Sequence, residues 1–209
     1  MTAAVAATTE TPTPIWSPLG LRPGQVAALV GEPGSGMTRI GLSLIADHAG
    51  VASRSVACLD VRGWLSPLAA WEVGIAPEHL ILVRCSDAER WGRAAAALLG
   101  GVSAVYAEVP AGVDDGSLRR LGALARKSRT ALVLRRLRGD LPSGIAGLRL
   151  EASQVWWEGP DAGHGRLIRR RLLLTATGKV VHGMRRAVEV EDDGTNALRV
   201  VSGLAAAEA

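Results

Sequence analysis

The sequence predicts an α/β protein: a mostly parallel, doubly wound sheet, extended by antiparallel strands at its C-terminal edge. Three observations carry this expectation. Short apolar runs alternate with helical segments from about residue 25 to residue 134, the rhythm of strand–helix–strand units. A glycine-rich loop stands between the first such run and the first helical segment. Beyond residue 138 the helical period disappears, and strand-like runs follow one another with hairpin signals between them.

The elements follow in order. Gln25-Val26-Ala27-Ala28-Leu29-Val30 is a buried strand, and Arg39 to His48 places Ile40, Leu44 and Ile45 on one helical face. Ser55 to Asp60 predicts a second strand, Pro67 to Val73 a short helix, and Leu80 to Val83 a third strand. A helix from about Asp87 to Leu99 carries the small run Ala94 to Ala97, suited to close packing on a sheet. Ser103 to Glu108 and Thr130 to Leu134 are the fourth and fifth strands, with a helix over Gly116 to Arg126 between them. Such short apolar runs suit a parallel sheet covered on both faces.

Arg138 to Gly147 is a Gly/Pro loop. Leu148 to Leu150, Gln154 to Trp157, Arg166 to Thr175 and Val180 to Val190 then read as successive strands, with turns at Gly159-Pro160-Asp161 and Thr177-Gly178-Lys179. Glu191-Asp192-Asp193-Gly194 reads as an acidic turn after the last strand. The expected organisation is a disordered or loosely attached lead-in over 1–20, one core domain over 21–200 and a frayed tail over 201–209.

At 209 residues and 48% hydrophobic content, one domain with a substantial core is expected. No apolar run approaches the roughly 18 residues of a membrane span. The first sixteen residues lack the basic and apolar regions of a secretory signal. Cys58 and Cys85 have neither CxxC nor Cys/His spacing and read as buried thiols of a cytosolic protein. Net charge is +4, and all the cationic residues except Lys127 and Lys179 are arginine. That permits a nucleic acid or an acidic partner without choosing between them. His48, His79, His164 and His182 show no metal-ligand spacing, so no metal site is expected.

Gly31-Glu32-Pro33-Gly34-Ser35-Gly36-Met37-Thr38 has the spacing G-x-x-x-x-G-K-[ST] of a phosphate-binding loop. Its glycines allow backbone N–H groups to turn toward phosphate oxygens at a helix N-terminus. The lysine that would neutralise the outer phosphates is replaced by Met37, a thioether without charge. Thr38 retains a hydroxyl suited to Mg²⁺.

The order of elements over roughly residues 15 to 190 resembles the core domain of the RecA recombinase family. Val56 to Asp60 with Leu65, Pro67, Gly74-Ile75 and Leu80 to Val83 looks like its second strand, helix and third strand. Ser103 to Glu108 takes the Walker B strand, and Leu148 to Ser153 the strand after the second DNA-binding loop. The resemblance implies a RecA-like phosphate-loop core whose active site is dismantled. The phosphate-loop lysine position holds Met37. The catalytic base position, two residues beyond Asp60, holds Arg62, which cannot accept a proton. The Walker B carboxylate position is Glu108, and the sensor glutamine is replaced by Arg135 or Arg136. The first DNA loop shrinks to an acidic stretch, Val109 to Gly116, so direct DNA binding is expected to be weak or absent. Lys179 matches a lysine that RecA reaches across a filament interface.

Small RecA relatives with degraded ATPase motifs resemble the ImuA family, including its mycobacterial ImuA-prime form, and this chain is similar to them. That resemblance implies a non-hydrolysing adaptor in damage-induced mutagenesis. Its partner would be an ImuB-like relative of the Y-family polymerases and, indirectly, an error-prone replicative-type polymerase and the sliding clamp. The expected location is cytoplasmic, nucleoid-associated when in complex. Two alternatives stand beside it: a nucleotide-gated binding protein that holds ATP, with or without Mg²⁺, without cleaving it, and a SulA-like inhibitor of FtsZ.

Candidate surface residues are Trp156 and Trp157, one expected inward and one outward by strand alternation, and the arginines Arg169, Arg170, Arg171, Arg185 and Arg186. The competing reading of the arginines is a solvated face that protects a sheet edge. Trp16, Trp64, Trp71 and Trp91 read as core or rim packing.

Overall fold

The computed structural model describes residue 16 and residues 19–50, 54–159, 164–166, 168–193 and 198–206, the side chains of 202–206 apart. Nine strands form one sheet in the order β3-β2-β4-β5-β1-β6-β7-β8-β9. The strands are β1 Val26–Val30, β2 Val56–Asp60, β3 Leu80–Arg84, β4 Ala104–Val109, β5 Ala131–Arg136, β6 Leu148–Glu158, β7 Arg169–Thr177, β8 Arg186–Asp192 and β9 Leu198–Ala206. The helices are α1 Met37–Ala49, α2 Pro67–Trp71, α3 Ala88–Leu99 and α4 Asp115–Ser128. β1 to β6 pair in parallel. β6 to β9 pair antiparallel.

Two apolar layers hold the parallel half. On one face α1 and α2 pack Ile40, Leu44, Ile45 and Ala70 against Cys58, Tyr106 and Val133. On the other, α3 and α4 pack Trp91, Leu99 and Leu118 against Leu59, Val105 and Leu134. β2 and β4 are buried along their whole length, which is why they read as continuous apolar runs rather than alternating ones. Asp87 and Asp114 cap α3 and α4, accepting from Arg90 N (2.8 Å) and Ser117 N (2.9 Å).

The lead-in is shorter than the sequence suggests. Trp16 and Leu19 are buried, and Trp16 Nε1 donates to Ser43 Oγ on α1 at 2.9 Å. Residues 1–15 lie outside the described residues.

Three corrections concern the antiparallel half. Leu148–Leu150 and Gln154–Trp157 are one strand, with a register shift between Ala152 and Gln154. A bulge absorbs the extra residue where the polar Glu151-Ala152-Ser153 breaks the alternation, and Ser153 Oγ donates to Leu173 O at 2.9 Å. Val180 does not open a strand: Lys179–Val181 is a 3-10 turn, His182 is left-handed (φ 56°), and β8 starts at Arg186. The tail is not frayed from residue 201, because β9 runs to Ala206 beside β8. The turn at Gly159-Pro160-Asp161 falls largely outside the described residues, although β6 and β7 do pair on either side of it.

Candidate functional site

The glycine loop leaves the C-terminal end of β1 and opens directly into α1. A Cβ at Gly31 would stand 2.6 Å from Ser35 Oγ and 2.8 Å from Met37 Cγ, so only glycine fits under the loop. Gly36 has φ 82° and is the N-cap of α1, with no side-chain cap and no acid in the first turn. Four backbone N–H groups of a helix start have no intrahelical partner, and here no carboxylate of that turn answers them.

Met37 is fully buried and joins the core beneath α1. A lysine there would have to reach out to a ligand; the thioether instead completes apolar packing.

Strand alternation brings the remaining positions to one sheet face. Glu108 of β4 and Arg135 of β5 are direct register partners at the strands' C-terminal ends, on the side covered by α1. They do not pair with each other. Glu108, 1% exposed, forms an ion pair with Arg62 and accepts from Val61 N at 3.3 Å. Hydrogen bonding to Glu108 holds the Arg62 guanidinium above its ordinary pKa. Asp60 is spent on its own turn, accepting from Gly63 N (2.8 Å) and Leu65 N (3.0 Å). Burial, reinforced by Asp60, pushes the Cys58 thiol up to about 12, which makes it an inert thiol.

Arg135 is 5% exposed, and its Nη1 donates to Thr38 Oγ1 at 2.6 Å. Of the two arginines suggested for the sensor position, Arg135 faces the loop. Arg136 turns away, donating to Asp140 O (2.8 Å) and Val113 O (3.0 Å). The fully buried Tyr106 lies across α1, where a Cβ at Gly41 would collide with its ring. Its hydroxyl stands close to Thr38 and Arg135. Burial pushes it up to about 12, although the Arg135 charge opposes that shift.

Of these groups, Arg62, Thr38 and Arg135 line a cavity of about 600 Å³ at the C-terminal ends of the parallel strands, where ligands of open α/β sheets bind. Gly34, Gly36, Thr38 and Arg135 line it from the parallel half; Trp157, Ile168, Arg169 and Arg170 line it from the β6–β7 hairpin. Arg170 lies against Gly36, its Nη1 2.7 Å from where a Cβ would be, and its Nη2 donates to Asp192 at 2.7 Å. Arg39, which the sequence reading did not single out, pairs with Glu72 (2.8 Å) and Asp192 (3.2 Å) and closes one wall.

The other surface candidates disperse. Trp156 and Trp157 are both about half exposed, because this end of β6 overhangs the parallel half. Trp157 stacks with its cross-strand partner Arg170, whose guanidinium carbon is 5.4 Å from the ring centre. Arg169 and Arg171 share the face away from Arg170. They pair with Glu158, Glu189 and Glu191 at 3.3 to 4.0 Å. The arginine run is thus largely neutralised within the sheet. Arg185 and Arg186 sit at the opposite end of the β7–β8 pair. Lys179 is also far from the cavity, in the turn whose Val180 N donates to Gly147 O. Of the tryptophans expected in the core or rim, Trp91 is buried and Trp71 half-exposed. Trp64, at 76% exposure, is a surface residue stacked on Arg62.

Fold and site together define an α/β protein with a lysine-less glycine loop at a sheet's ligand-binding end. The chain belongs to the MT3502 N-terminal domain family, whose model matches residues 14–140. That span runs from the Trp16 anchor through β5, taking in the glycine loop, Arg62, Glu108 and Arg135, and stops before the antiparallel extension. No curated protein matches the chain. Among the described residues no helix is long and apolar enough to cross a membrane.

Proposed function

We propose that the chain is a non-hydrolysing RecA-like adaptor in damage-induced mutagenesis. It would bind an ImuB-like relative of the Y-family polymerases and, through it, bring together an error-prone replicative-type polymerase and the sliding clamp at the nucleoid. One observation carries the reading: the three positions an ATPase of this kind relies on are all turned to internal use. Met37 is in the core, Arg62 holds Glu108, and Arg135 holds Thr38. Hydrolysis needs a base for the attacking water and charge stabilisation of the transferring phosphoryl group. Arg62 and Arg135 cannot accept a proton, and Glu108 is held in its ion pair with Arg62.

A role in assembly is supported by the surface at the same end of the molecule. Trp64, Trp156, Trp157 and Ile168 are exposed there, and tryptophan is the residue type most enriched at binding hot spots. The internal pairing of the arginine run fits weak direct binding to DNA.

The test is association of the full chain with an ImuB-like partner in a pull-down, followed by titration. Association is expected, and Trp156→Ala with Trp157→Ala should weaken it by about thirtyfold or more, the loss typical of a hot spot. No association at micromolar concentrations would overturn the proposal.

A further inference from the structure

We propose that the end of the molecule where the parallel strands begin docks an extended acidic segment of a protein partner, held by arginines and a lysine around two adjoining recesses. This surface lies at the opposite end from the glycine loop, Trp156 and Trp157, and the proposal stands whether or not the adaptor reading holds.

Charge is unevenly spread over the molecule. The loops and helix ends that feed the parallel strands carry Arg22, Arg54, Arg126, Lys127 and Arg129. The turn between β7 and β8, which returns to the same end, adds Lys179, Arg185 and Arg186. Among the described residues only Asp47 and Glu78 oppose these eight cations there, so the surplus exceeds the net +4 of the entire chain. α1, α3 and α4 all end on this side, and helix C-termini favour cations, but each supplies only about half a negative charge. Three such ends leave most of the surplus unanswered. Nor do side chains answer it. Arg22, Arg54, Arg129 and Lys179 have no ion-pair partner among the described residues, whereas Arg39, Arg62, Arg169, Arg170 and Arg171 at the other end are all paired.

Two recesses gather these charges. One, of about 490 Å³, is lined by His48, Arg54, Ser128 and Arg129; the other, of about 370 Å³, by Arg22, Lys179 and His182. Pro23 lines both, so they adjoin across one residue. The turn that carries Pro23 is fixed: Gln25 N donates to Arg22 O and Arg22 N to Gln25 Oε1, each at 2.9 Å. Gly24 (φ 78°) lies on the end of α4, where a Cβ would stand 3.2 Å from Arg126 Cα. Arg129 (φ 59°) and His182 (φ 56°) are the two non-glycine residues with left-handed backbone among those described, and each lines one recess. That conformation is costly for a residue with a Cβ and persists where the surroundings impose it, often at binding sites. Arginine clusters recognise acidic motifs, a carboxylate accepting two bonds from one guanidinium. The described lining residues include no Phe, Tyr or Trp on which the bases of a single strand would stack. Their cations stand around recesses and not on a helix or strand that would enter a duplex groove. An extended polypeptide with successive Asp or Glu side chains fits both facts.

Fluorescence anisotropy of a labelled oligoglutamate peptide titrated with the full chain tests the inference, beside labelled single-stranded and duplex DNA at the same salt. Saturable peptide binding is expected, weakening as salt rises. Arg54→Glu with Lys179→Glu, one change in each recess, should lower affinity by about tenfold or more. Arg90→Glu with Arg119→Glu, exposed in the N-terminal halves of α3 and α4, makes the same change of net charge. That control should alter affinity by about twofold at most, which separates the site from the charge of the whole molecule. Arg129→Gly keeps the left-handed turn and removes the guanidinium, so affinity should fall by about threefold even where the first double variant fails to fold. No saturation at millimolar peptide overturns the proposal, as does an unchanged affinity in Arg129→Gly or a control loss equal to that of the first double variant. Tighter binding of either DNA than of the peptide also overturns it and assigns the surface to nucleic acid.

Discussion

The two halves of the sheet solve the same problem by different chemistry. In the parallel half, strands are covered on both faces, and most polar groups inside it belong to the site. In the antiparallel extension, β7 and β8 bury alternate residues only: Leu172, Leu174, Ala176, Val188 and Val190 face inward. Their outward neighbours form a ladder of arginines and carboxylates, Arg169 and Arg171 against Glu158, Glu189 and Glu191. The lesson is that arginine means different things in each half. In the ladder it screens an exposed sheet face; at the junction, Arg62, Arg135 and Arg170 line the cavity beside the glycine loop.

Substitutions at matched places sharpen the contrast. Trp91 of α3 is fully buried in the parallel half. Trp91→Ala should cost about 3–5 kcal/mol, read as a lower midpoint in urea unfolding. A loss below about 1 kcal/mol would mean that the α3–α4 layer does not anchor the sheet.

The junction comes next. Arg62→Ala leaves Glu108 buried without its cation, and breaking a buried pair by removing one partner should cost about 3 kcal/mol. The double replacement Arg62→Met with Glu108→Met should recover most of that loss, because the desolvation of both charges is removed with them. A double variant as unstable as the single one would show that the pair has a role beyond mutual compensation.

The ladder should be the least sensitive. Arg171 is more than a third exposed, so Arg171→Ala should cost about 0.5 kcal/mol, shrinking further in 1 M salt. A loss as large as that of Arg62→Ala would erase the distinction between the two halves.

The parallel half was legible in the sequence because its signals are local. Val26 to Val30, Val56 to Asp60 and Ala131 to Leu134 are apolar runs bounded by turn residues, and each lies where the sequence places a strand. The extension was less legible. The bulge at Ala152/Gln154 is defined only against the partner strand β7, and the 3-10 turn before β8 is tied to Gly147 through Val180 N. The glycine loop and the absence of its lysine were visible in eight residues. The contacts that replace it were not: Arg135 to Thr38 spans 97 positions and Arg62 to Glu108 spans 46. Nor could alternation place Trp156 and Trp157, because the rule that one face is inward fails where a strand overhangs its neighbours.

The central claim is that the residues an ATPase would use are turned inward here. Steady-state phosphate release from ATP and Mg²⁺ by the purified full chain tests it most directly. The account predicts a rate no greater than that of buffer alone. A rate above buffer that falls in both Thr38→Ala and Glu108→Gln would contradict it.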